Sequence, residues 1–190
     1  MESVESEQAA ADRKTAVWIA RYGQVLTFLL AQVTAVVACV CLFLMLSGQD
    51  QAKQGEIIKI AVMLVGGCLA ITIAIVYRIV AGPANRSQAI EAYGVSGDQP
   101  ALPIHTDRPL SGPLEVLLLA STAATHKSQV FFGTSACINL ILMYLDESWV
   151  HLPLAFASVL FVVWQTPTVG RLANLIKEAL GQQHITREAN

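Results

Sequence analysis

Charge is what this chain has least of. Only 12 Lys and Arg and 14 Asp and Glu occur among 190 residues, and none lies between Val25 and Leu46, VLTFLLAQVTAVVACVCLFLML, a run that also lacks proline and glycine. No cluster of basic residues is present and the formal net charge is −2, which excludes the electrostatic footprint that nucleic-acid binding needs. The four cysteines, Cys39, Cys41, Cys68 and Cys137, lie in apolar segments without CxxC spacing, so neither a zinc or redox motif nor a disulfide framework is written here. The N-terminal MESVESEQAAADRK is acidic and lacks the basic start of a signal peptide, and no cleavage is expected.

What is present is apolar surface. At ~1.5 Å per residue Val25–Leu46 reaches ~33 Å, enough to cross a hydrocarbon core of ~30 Å. With 54% apolar residues the chain belongs among membrane proteins. Residues 1–12 carry Glu2, Glu5, Glu7 and Asp12 with little to bury and are expected to be a disordered acidic tail. The first transmembrane hairpin is expected over 13–81: the Val25–Leu46 span, a polar turn SGQDQAKQGE, and a second apolar run from Ile57 to Tyr77 in which Lys59 snorkels. Gly66, Ala70 and Ala74, four apart, predict a small-residue seam for helix packing.

Proline is nearly absent outside 82–113, where five of the seven stand, and this density predicts an irregular cytoplasmic connector over 82–112, with a short helix at Arg86–Tyr93. The second hairpin, 113–166, starts at Ser111-Gly112-Pro113 with Glu115 in the first turn. Leu114–Ala124 and Val130–Leu145 read best as one long third helix with His126 and Lys127 at headgroup depth; a short interfacial helix followed by a kink is the alternative. Asp146-Glu147-Ser148 makes a short outer turn, and the fourth span runs from about Trp149 to Trp164. An amphipathic helix over 167–181, with Val169, Leu172, Leu175, Ile176, Ala179 and Leu180 on one side, is expected to lie on the membrane or against the connector, and 182–190 is a tail. The fold class is therefore all-α: a polytopic membrane protein of four transmembrane helices in two antiparallel hairpins, with an amphipathic C-terminal helix.

Trp18, Tyr22, Trp149, Trp164, Arg78 and Arg171 are expected as interfacial anchors. Arg13, Lys14, Arg21, Arg78, Arg86, Arg108, Lys127, Arg171, Lys177 and Arg187 fall on one side of the four-span threading and only Lys53 and Lys59 on the other. Ten against two places both termini in the cytoplasm.

Chemistry is thinly represented. Proton-coupled transport needs an ionisable group at membrane depth, and none of the four spans offers one; Asp146 and Glu147 are read as a solvated turn. Gln32, Thr34 and Asn139 are polar groups at depth, where an unsatisfied amide costs several kcal/mol, so they are expected to bond between helices or, in the alternative, to line a path. Cys39, Cys68 and Cys137 lie at comparable depth, but no His or acid completes a metal site there. His126 and His151 begin their spans on opposite faces and cannot share one haem, and no nucleophile is aligned beside His126. No catalytic residue, cofactor or metal is expected.

Thr125 and Lys127 before the third span, then Pro167, Thr168 and Arg171 closing the fourth, form a pattern that resembles small four-span bacterial inner-membrane proteins. The resemblance implies a multi-pass location in the bacterial inner membrane and carries no catalytic residue. The function expected is a non-enzymatic structural or accessory module, associating with itself or with other membrane proteins in the lipid bilayer. A passive channel or small-solute carrier lined by Gln32, Thr34 and Asn139 is the alternative, and a membrane-bound enzyme or redox subunit using His126 the second alternative.

Overall fold

The computed structural model describes residues 14–47, 57–100 and 103–188. The acidic segment 1–12, the turn at 48–56, the side chain of Lys59 and the side chains beyond Gln182 lie outside the described residues. The described chain is all-α, with five helices: α1 Ala16–Ser47, α2 Ile57–Ser96, α3 Gly112–Asp146, α4 His151–Trp164 and α5 Val169–Glu188. Three are long and apolar enough to cross a membrane, α1, α2 and α3; α4 and α5 together, bent by 62°, supply a fourth candidate. Alone, α4 has 14 residues, or ~21 Å, short of a ~30 Å core.

The third helix is continuous, as the longer of the two sequence readings expects. The connector is where the structure departs from expectation: α2 runs on through Pro83 to Ser96 and stops at Gly97, whose φ of +66° closes the helix. A proline inside a helix costs ~3 kcal/mol. Continuing the helix buries Ile90 and Tyr93, and at ~1.5–3 kcal/mol for each large apolar side chain that burial offsets the proline. Among the described residues of the connector only 97–100 and 103–111 are irregular, tied at Thr106 O by the Val17 amide (3.1 Å) and by a bond from the Leu110 amide to Lys14 O (3.2 Å).

The described residues form two compact units. One comprises 14–25, 83–125 and 167–188. Its core is formed by Ile19 of α1, Ile90 and Tyr93 of α2, Leu114, Leu117 and Leu118 of α3, and the Leu172, Leu175, Ile176 and Ala179 face of α5. The apolar side of the C-terminal helix is thus enclosed by protein. Lys14 pairs with Glu115 (3.8 Å), and Arg86 pairs with Glu178.

The other unit comprises 26–82 and 126–166, the parts of α1 to α3 with the highest apolar content, together with α4. Its outward surface is Phe28, Val36, Phe43, Val62, Val65 and similar residues. Only 11% of the most apolar stretch of α1 and of α2 is buried, against 50% for α3, so α3 is the helix that the unit packs around. Two apolar layers flank its middle: Phe132 with Ala74 and Val162, and Cys41 with Leu140, Met143 and Ala155.

Candidate functional site

The buried side of α3 is not wholly apolar. Ser128, Ser135, Asn139 and Asp146 are spaced by seven, four and seven, which at 100° per residue confines them to a stripe ~40° wide, and all four are buried. Asp146, at the C-terminal end of α3, carries the most consequential group. Its side chain has no exposed area; Oδ1 accepts from the Ser148 amide (3.0 Å) and Oδ2 lies 2.9 Å from Nε2 of His151, which is equally enclosed. Glu147 sits between at φ 55°, the left-handed conformation that lets four residues reverse the chain.

His151 reaches on to Asn139. Its Nδ1 is 3.2 Å from Asn139 Oδ1, while Asn139 Nδ2 donates to Ser135 O (2.9 Å) and to Gly67 O (3.3 Å). Because both amide protons of Asn139 go to carbonyls, the atom facing the ring is an acceptor, and His151 Nδ1 must be the donor. Its Nε2 faces a carboxylate oxygen, so one proton lies between ring and acid: imidazolium beside carboxylate, or imidazole beside carboxylic acid. Either arrangement is neutral as a whole, which is how an acid remains enclosed without an uncompensated charge. The expectation that Asp146 belongs to a solvated turn is corrected here: its carboxylate is buried and closes the turn from within.

Gly67 makes the approach possible. A Cβ there would strike Asn139 Oδ1 and come within 3.0 Å of His151 Nδ1. The close contact of α2 is therefore one residue away from the predicted seam. Gly66 faces outward, and a Cβ added to it would meet nothing within 4 Å; Ala70 is half-buried and Ala74 is fully buried.

A second polar cluster occupies the other end of the same stretch. Gln129, fully buried, donates from Nε2 to Thr27 Oγ1 (2.9 Å) and Val162 O (3.0 Å), and its Oε1 lies 2.7 Å from His126 Nδ1. By the same reasoning as for Asn139, His126 Nδ1 donates. The remaining nitrogen, His126 Nε2, is buried with no hydrogen-bond partner among the described residues, as are Gln165 Oε1 and Ser128 Oγ. Between the clusters Ser158 donates to Leu154 O (2.9 Å) with its oxygen 3.3 Å from Ser135 Oγ. Phe132, stacked on Phe161 at 5.0 Å, fills the turn separating Gln129 from Ser135.

The other expected residues are dispersed. Gln32 faces outward, and Thr34 donates back to Leu30 O (3.0 Å), so with Asn139 enclosed these three do not line one path. Trp18 and Tyr22 stack at 5.4 Å with Lys14 over the Trp18 ring; Trp149, Trp164, Arg78 and Arg171 are exposed. Cys39 and Cys68 are exposed and Cys137 half-buried, while Cys41 is the enclosed one. Among the described residues no three His, Cys, Asp or Glu side chains are grouped as metal ligands would be. Sequence reasoning missed Gln129, because its phase with Thr27 and Val162 depends on which helices pack. No family model, characterised relative or solved structure matches the chain.

Proposed function

We propose that the chain is a non-enzymatic, multi-pass membrane protein serving as a structural or accessory module, which associates with itself or with a larger membrane complex in the lipid bilayer. The observation that supports this reading is Gln32. It lies in the charge-free stretch of α1, on the outward surface beside Phe28, Leu29, Val33 and Val36, and makes no hydrogen bond to a described residue. An amide facing hydrocarbon costs several kcal/mol unless another chain supplies partners, and a second amide satisfies its donor and acceptor together. The ten-to-two distribution of Lys and Arg supports both termini on the cytoplasmic side, and the resemblance noted above supports the bacterial inner membrane.

Interhelical hydrogen bonds of this kind contribute ~0.6–2 kcal/mol. Gln32→Leu is therefore expected to weaken self-association in mild detergent roughly 3- to 30-fold, measured by the concentration dependence of mass in solution. A wild-type chain that stays monomeric and partner-free after gentle solubilisation of native membranes contradicts the proposal. The carrier reading built on Gln32, Thr34 and Asn139 has no observation in its favour, because the three face different surroundings.

A further inference from the structure

In the unit formed by 26–82 and 126–166, the outward face of α1 carries a regular repeat. Leu29, Gln32, Val36, Cys39, Phe43 and Leu46 are spaced by three, four, three, four and three, the a and d positions of a heptad, and all six are exposed. Thr27, Thr34 and Cys41, seven apart on the opposite side, are the buried ones. A strict repeat of seven drifts by ~20° per heptad on a straight helix, so a seam this regular suits a partner helix that winds around it left-handedly. Among the described residues no helix covers it.

Three properties of the seam point to a second copy of this chain. Its one amide, Gln32, is self-complementary: the carbonyl accepts from an identical amide while the NH2 group donates back, and a single polar residue in an apolar seam fixes register. Copies in one membrane are threaded the same way, so two α1 helices run parallel about a twofold axis along the membrane normal, and seam residues meet their own counterparts. The apolar members, with Val33 and Val40 beside them, are 50–70% exposed. At ~150 Å² for each such side chain, and with Gln32 and Cys39 added, the seam presents on the order of 600 Å², within the ~600–1,000 Å² that each partner gives to a stable interface.

We infer that two copies of the chain pair through this seam, α1 against α1 in parallel, with Gln32 bonded to the partner's Gln32 and Cys39, one heptad further along, opposite the partner's Cys39. The inference rests on the association proposed above and names its partner, its axis and its register. A thiol fits at Cys39 between the two helices. A bulky group attached there overfills the seam and holds the helices apart, so a chain labelled at Cys39 is surrounded by lipid.

The test uses the full chain in native membrane vesicles, with one cysteine at a time at position 36, 39, 40 or 43 and the remaining native cysteines replaced by alanine. Molecular iodine, which enters lipid, takes two electrons from two thiols to give one disulfide, two iodide ions and two protons, and does so only where the Cα atoms approach within about 7 Å. Cys39, Val36→Cys and Phe43→Cys are expected to form a covalent dimer roughly tenfold faster than Val40→Cys, which points off the axis of the seam. Val40 is the control because it is as open to lipid as Cys39 and adjacent to it in depth. Adding Gln32→Leu is expected to slow cross-linking at Cys39 roughly 3- to 30-fold. The mass of the wild-type chain in mild detergent separates the two readings. A chain that associates by mass, yet cross-links as fast through Val40→Cys as through Cys39 or owes its added mass to a different protein, overturns this pairing and leaves the association standing. A monomeric, partner-free chain overturns both.

Discussion

Gly67 and Gly66 are neighbours with opposite surroundings. A methyl group at Gly67 meets Asn139 and His151, whereas at Gly66 it meets nothing within 4 Å. Overpacking costs ~1–3 kcal/mol, so Gly67→Ala is expected to lower the unfolding temperature in detergent and Gly66→Ala to leave it unchanged; the reverse order would place the close approach at the predicted seam after all. A small-residue stripe is legible in the sequence, but the choice between adjacent glycines is not, because it depends on the rotation of α2 about its own axis. Asn139 is legible as a group that must bond to another helix, and it does, to Gly67 O. Asp146 and His151 are not legible for a different reason: an acid and a histidine separated by a short turn look solvated until the left-handed Glu147 directs both side chains inward.

Among the elements, α5 distinguishes a membrane-surface helix from a core helix. Its periodicity marks an apolar face in the sequence, yet periodicity cannot say whether lipid or protein covers that face. Leu172, Leu175, Ile176 and Ala179 lie in the core that Leu114, Leu117 and Ile90 complete. Leu175→Ala is therefore expected to destabilise the unit formed by 14–25, 83–125 and 167–188 by ~2–5 kcal/mol, detected as faster proteolysis within 97–111; unchanged proteolysis would indicate a helix lying on lipid. Proline is a misleading signal in α2, since the local penalty at Pro83 is smaller than the burial gained by carrying the helix on to Tyr93. The continuous α3, by contrast, follows from its proline-at-first-turn start and the lack of any later proline before Glu147.

For the molecule as a whole, the solvent around the outward apolar surface decides the rest. Phe28, Val36, Phe43, Val62, Val65 and Leu69 are all more than half exposed, an area that a water-soluble monomer does not present. The three long apolar helices are legible because lipid demands them regardless of packing. The polar line inside is not, because each member is ordinary alone and acquires meaning only when three helices bring it together. Lipid as the outer solvent makes the inner line unusual and gives Gln32 its reason to seek a partner.

Cys39 offers the most direct probe of that claim, being exposed and near the middle of the charge-free part of α1. A nitroxide attached to a variant that keeps Cys39 as its single cysteine, reconstituted in bilayers, is expected to relax rapidly with molecular oxygen, which concentrates in hydrocarbon, and to be shielded from a water-soluble nickel chelate. Ready access by the chelate, with no enhancement by oxygen, would put water where lipid is required.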